Sequence, residues 1–164
     1  MINFSNQPPE GFTLLELLAG ISLTAIVLCI SLPFAPALYK KNKLHVLTDD
    51  VKAAIQYAKI QAVMTGEQLA LTRLPGAGDW SDGMLLFVDN ANHQYTTGAK
   101  LLHEWRWQSS EIQVSWHGFQ SQDYLLFSPE MSSSAVNGSF TLTNAMHQQT
   151  KLVVNRLGRV SQHI

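Results

Sequence analysis

Twenty-one consecutive residues, Phe12 to Leu32 (FTLLELLAGISLTAIVLCISL), carry a single charge, that of Glu16. A helix rising about 1.5 Å per residue makes such a run about 30 Å long, the thickness of a bilayer core. A small globular domain has no interior for a helix that is apolar on every side, so the run reads as a membrane-spanning segment. Pro33 and Pro36 follow, at positions that kink or interrupt a helix. Lys40, Lys41 and Lys43 come next, where cations meet lipid headgroups.

Three readings of this segment compete. A secretory signal peptide needs a basic start and a short apolar core, whereas residues 1–11 hold no Lys or Arg and the apolar run is long. A plain membrane anchor fits the length and leaves Glu16 unexplained, because a carboxylate inside a membrane helix is normally functional or paired. The third reading gives the carboxylate a purpose. The run Gly11-Phe12-Thr13-Leu14-Leu15-Glu16 resembles the class III signal of type IV pilins and pseudopilins. That resemblance implies cleavage by a prepilin peptidase between Gly11 and Phe12, methylation of the new Phe12 amine, and Glu16 as fifth residue of the mature chain. It also implies that Glu16 of one subunit neutralises the amine of its neighbour as both enter a filament. The leader departs from the family in carrying Glu10 and no basic residue.

Composition bounds the rest. At 164 residues and 18.2 kDa the chain is one domain with an appended segment. Only 14% of residues are charged, the net charge is −1 and the mean hydropathy is +0.01, which excludes a disordered polyelectrolyte and a multi-pass membrane protein. A single cysteine, Cys29, excludes an internal disulfide and is read as a small apolar side chain. The averages hide a polarity: −2 over residues 1–39, +3 over 40–59, −5 over 60–130 and +3 over 131–164, with no Asp or Glu after Glu130.

Spacings of three and four residues link Leu44, Leu47, Val51, Ile55, Ala58 and Ala62, which predicts a helix over 38–64 with one apolar face, and Lys52, Gln56 and Lys59 opposite. Gly66 reads as its stop. Thereafter short apolar or alternating runs predict strands at 68–73, 83–88, 101–107, 111–116, 123–128, 138–143, 150–155 and 158–162, separated by turn residues. The expected fold is α+β: a long N-terminal helix, half apolar and half amphipathic, and a C-terminal antiparallel β-sheet head. The expected divisions are a leader at 1–11, a transmembrane or filament-core helix at 12–32, the amphipathic half at 33–66 and a β-rich head at 67–164.

The head resembles the GspH/FimT family of minor pilins. The resemblance rests on the order of Ala58–Leu71, Trp80-Ser81-Asp82-Gly83 with Leu86-Phe87-Val88-Asp89, Leu125–Pro129, Gly138–Leu142 and Leu157-Gly158-Arg159-Val160. Glu130 and Met131 depart from it, since the family often has a glycine after the proline. Some FimT-type proteins bind DNA through a C-terminal glycine–arginine–any–arginine motif. The run here is Gly158-Arg159-Val160-Ser161, and Lys151, Arg156 and Arg159 are the candidate DNA contacts.

Other chemistry finds little footing. No nucleophile elbow, HExxH or P-loop is present, and no two histidines stand four apart on a helix, so neither an enzyme nor a zinc site is expected. Asp79, Asp82, Asp89, Asn90 and Asn92 offer oxygen ligands for calcium but read as solvated turns. Trp105, Trp107 and Trp116 read as core packing rather than an exposed aromatic surface. The expectation is therefore a minor pilin or pseudopilin without cofactor or metal, set in a bacterial inner membrane with its head in the periplasm. Its partners would be a prepilin peptidase, other pilins and an inner-membrane assembly platform. A pilus-associated DNA-binding protein and a simple membrane-anchored periplasmic binding protein are the rivals.

Overall fold

A computed structural model describes residues 13–31, 35–107, 111–130 and 133–163, the side chains of 30, 31 and 35–41 excepted. Gly11 and Phe12 lie outside the described residues. The chain divides into two compact units, Met1–Tyr39 and Lys40–Ile164.

The first unit holds helix α1, Leu14–Ser31. Nine of its large apolar side chains are exposed, on all sides of the helix, and Cys29 is exposed among them. Within the described residues no helix is long and apolar enough to cross a membrane, α1 covering 14–31 of the apolar run 12–32. Helix α2 spans Ala35–Thr65 and so opens a turn earlier than the apolar periodicity predicts. Pro36 sits in its first turn, where the missing N–H costs no helical hydrogen bond. The helix ends at Gly66, which has φ +67° and returns its N–H to the Ala62 carbonyl at 3.1 Å.

Among the described residues the second unit contains eight strands: β1 Leu69–Arg73, β2 Gly83–Val88, β3 Leu101–Arg106, β4 Ile112–Gly118, β5 Tyr124–Phe127, β6 Gly138–Asn144, β7 Gln149–Val154 and β8 Val160–His163. Each matches a strand predicted from the sequence. They form two antiparallel four-stranded sheets, ordered β3-β2-β1-β5 and β4-β6-β7-β8.

The predicted apolar face of α2 is the centre of the core: Leu44, Leu47, Val51, Ile55, Ala58 and Ala62 are all buried, against Leu69, Leu71, Met84 and Phe127 of the first sheet and Val114, Phe140 and Leu152 of the second. The first sheet is covered on its other face too. Ala70, Leu85, Phe87 and Leu126 lie there under Tyr95, Ala99 and Ala135. Burial on both faces is why β1 and β2 read as continuous apolar runs, and β4, β6 and β7 as alternating ones. The tryptophans pack as predicted: Trp116 is buried against Phe140, while Trp105 and Trp107 are half-buried on the same core, Trp105 edge-on to Tyr57 of α2.

Lys59, on the polar side of α2, is tied to the β-rich part of the chain. It is half-buried, and its Nζ donates to the Leu157 carbonyl at 2.8 Å. The turn after β7 folds back over α2, so a helix position polar by periodicity becomes the clasp of that turn.

Candidate functional site

Glu16 stands in the first turn of α1, three residues after the Thr13 that caps the helix. The backbone N–H and Oγ1–H of Thr13 both donate to Glu16 Oε2, at 3.0 and 2.9 Å, and Glu16 N–H returns a bond to Thr13 Oγ1 at 3.3 Å. This is a capping box, Thr-x-x-Glu, which satisfies N–H groups that the first helical turn leaves without partners. The carboxylate also sits at the positive end of the helix dipole. Glu16 is thus explained locally before any partner is invoked. Both donations from Thr13 converge on one oxygen, Oε2.

The three basic candidates lie on strand β7 of the second sheet and in the turn that follows it. Lys151 is exposed on the outer face of β7, opposite Thr141 and His163. Arg156 and Arg159 are exposed in the turn between β7 and β8. That turn is fixed by Asn155, whose Oδ1 accepts from the backbone N–H groups of Leu157 and Arg159 at 2.9 Å each. Ser161, in place of a second arginine, is exposed on β8, its Oγ 3.4 Å from the Val153 carbonyl.

Beside these cations stands a residue the sequence reading passed over. Phe119 is 86% exposed, in the loop after β4. The loop is built rather than loose. Phe119 N–H donates to the Asn137 carbonyl at 2.8 Å, and Trp116 Nε1 to the Ser121 carbonyl at 2.9 Å. Phe119 lines two hollows at once: one of about 450 Å³ with Gln120, Asn137 and Arg156, and one of about 370 Å³ with His117, Gly138 and Lys151. Among the described residues no Asp or Glu lines either. An exposed loop residue carries no periodicity, so no sequence pattern marks it.

At the opposite end of β4 lies a hollow of about 450 Å³ bordered by Asp79, Asp82, Glu111 and His147, with Ile112 and Asn144 in its wall. The loop before β2 brings its aspartates there. Trp80 N–H donates to the Val114 carbonyl at 3.3 Å and Val114 N–H to Ser81 Oγ at 2.8 Å, which covers the outer edge of β4. Lys43 Nζ approaches Glu111 at 3.7 Å. Among the described residues no group of three or more His, Cys, Asp or Glu side chains is placed to hold a metal ion. Of the other calcium candidates, Asp89 is held by His93, whose Nδ1 lies 2.9 Å away, and Asn90 Oδ1 accepts from Asn92 N–H at 3.1 Å within its own turn.

Comparison with known proteins agrees with this architecture. The family described as type II transport protein GspH matches residues 47–158. No curated protein matches the chain. Two crystal structures of the type IV minor pilin FimU from Pseudomonas aeruginosa PAO1 share the fold. One superposes with a TM-score of 0.61 at 15% identity, over 76% of this chain and 91% of FimU. The other gives 0.54 at 16%, over 71% and 89%.

Proposed function

The chain belongs to the GspH family, and we propose that it acts as a minor pilin or pseudopilin, moving from the inner membrane into a filament of the type IV pilus or type II secretion kind. The observation that carries the reading is α1, with apolar side chains exposed on every side. Such a surface needs lipid or neighbouring helices around it. In this reading residues 1–11 are a leader removed by a prepilin peptidase, Phe12 becomes the methylated N-terminus, and 12–32 is the segment that exchanges lipid for the filament core. The β-rich head, on the periplasmic side, contacts neighbouring subunits.

Glu16 then has two successive duties. In the separate subunit it caps its own helix through Oε2. During assembly it neutralises the amine of an adjacent subunit, whose cation would otherwise enter the apolar core alone. No reaction is catalysed; the work is positional.

The test is the mature N-terminus. Chain recovered from membranes of cells containing a prepilin peptidase should give a terminal peptide beginning at Phe12, heavier by one methyl group. A peptide beginning at Met1, or at any residue other than Phe12, overturns the processing and favours a simple anchored protein.

A further inference from the structure

We propose that the head carries a knob and a socket for a second copy of itself: Phe119, flanked by Lys151 and Arg156, seats in the hollow bordered by Asp79, Asp82 and Glu111 of the next copy. The proposal deepens the filament reading and rests on it only for the purpose of the contact.

Three observations lead there. First, Phe119 is 86% exposed on a loop held by backbone hydrogen bonds, so its exposure is built in. A fixed, solvent-facing aromatic ring is the usual anchor of a protein contact. Second, the two ends of the second sheet differ in charge. At Phe119 the hollows contain Arg156 and Lys151 and, among the described residues, no Asp or Glu side chain. The other hollow has three carboxylates at its border, of which Glu111 is approached by Lys43. Third, knob and socket terminate the same strand. β4 begins at Ile112, in the wall of the acidic hollow, and ends at Gly118, next to Phe119. Six steps of about 3.4 Å each put the two ends of β4 about 20 Å apart.

A site on one end that fits a site on the other end of an identical molecule makes a head-to-tail contact. Such a contact does not close on itself, and its repetition generates an open, helical array. Nucleic acid is the competing occupant of the cationic end, since an exposed ring between cations also suits a stacked base. The acidic hollow decides for a protein copy. It supplies on this same chain both a cavity of about 450 Å³ for the ring and carboxylates for the cations.

The test uses the full chain in cells that make the filament, with two differently tagged copies and a photoreactive benzophenone side chain at position 119. Irradiation should give an adduct containing both tags, and the captured peptide should come from 79–82, 111–113 or 143–147. Arg156→Glu should lower its yield about tenfold, and combining it with Asp82→Arg on the partner copy should recover most of the loss. Thermal melting of both variants checks that they fold. Capture of another protein, of a nuclease-sensitive species or of a peptide elsewhere in the chain overturns the proposal, as does the absence of a two-tag adduct. Filament incorporation of the wild-type chain is scored separately. Incorporation without the adduct defeats the docking alone, whereas the adduct without incorporation defeats the filament reading and leaves the docking standing.

Discussion

Glu16 illustrates how much one side chain can satisfy. A sequence reading sees a charge in an apolar run and looks for a partner at a distance. The structure places the first partner three residues away, where Thr13 donates twice to Oε2. The two duties separate by substitution. Glu16→Gln keeps an acceptor for Thr13 and removes the charge; Glu16→Ala removes both. If pairing with a neighbour's amine drives assembly, both variants should reach the membrane fraction at wild-type levels and fall at least about tenfold in sheared filaments, measured by immunoblot. Wild-type incorporation of the Gln variant would mean that capping alone is what Glu16 provides. In the core the decisive residue is Phe140, fully buried and set between Trp80 and Trp116 at centroid distances of 5.4 and 4.6 Å. Phe140→Ala should cost about 3–5 kcal/mol, read as a lower urea midpoint for the full chain in detergent. The fluorescence of the two tryptophans that lose their ring contact reports the transition directly.

At the scale of elements, what was legible followed periodicity. Six apolar positions on α2 are buried as their spacing requires, and each of the eight strands stands where alternation or an apolar run placed it. The division into two sheets was not legible. Strand order depends on pairings distant in sequence, such as Leu71 with Leu125 across β1 and β5, and no local pattern records them. The partner of Lys59, the carbonyl of Leu157, is likewise distant in sequence and leaves no local pattern. Of the basic candidates, sequence found the cations, but only the folded loop shows Phe119 beside them. That loop depends on Gly118. A Cβ there would lie 2.0 Å from the Ser121 carbonyl oxygen and 2.5 Å from Trp116 Nε1, so the close return of the chain excludes a side chain. Gly118→Ala should therefore destabilise the head by about 1–3 kcal/mol and displace Phe119. Urea unfolding measures the first effect. The second appears as a loss of cross-linking from position 119, while the membrane fraction stays unchanged.

Over the whole molecule, the net charge of −1 conceals a sequence whose last 34 residues contain no acid and whose middle carries most of the carboxylates. Folding turns this linear polarity into a spatial one along the second sheet, with Asp79, Asp82 and Glu111 bordering the hollow at one end and Arg156 beside Phe119 at the other. Salt distinguishes the two components of the docking that this arrangement implies. The groups concerned are surface charges, and the screening length shrinks from about 10 Å at 0.1 M to about 3 Å at 1 M. Burial of the Phe119 ring is not weakened by the same ions. The two-tag adduct from position 119 should accordingly fall several-fold between 0.1 and 1 M NaCl without disappearing, whereas Phe119→Ser, tested with the benzophenone moved to Gln120, should abolish it at every salt concentration. An adduct insensitive to salt would remove the charged ends from the mechanism. An adduct that survives Phe119→Ser would remove the ring and leave a contact held by charge alone.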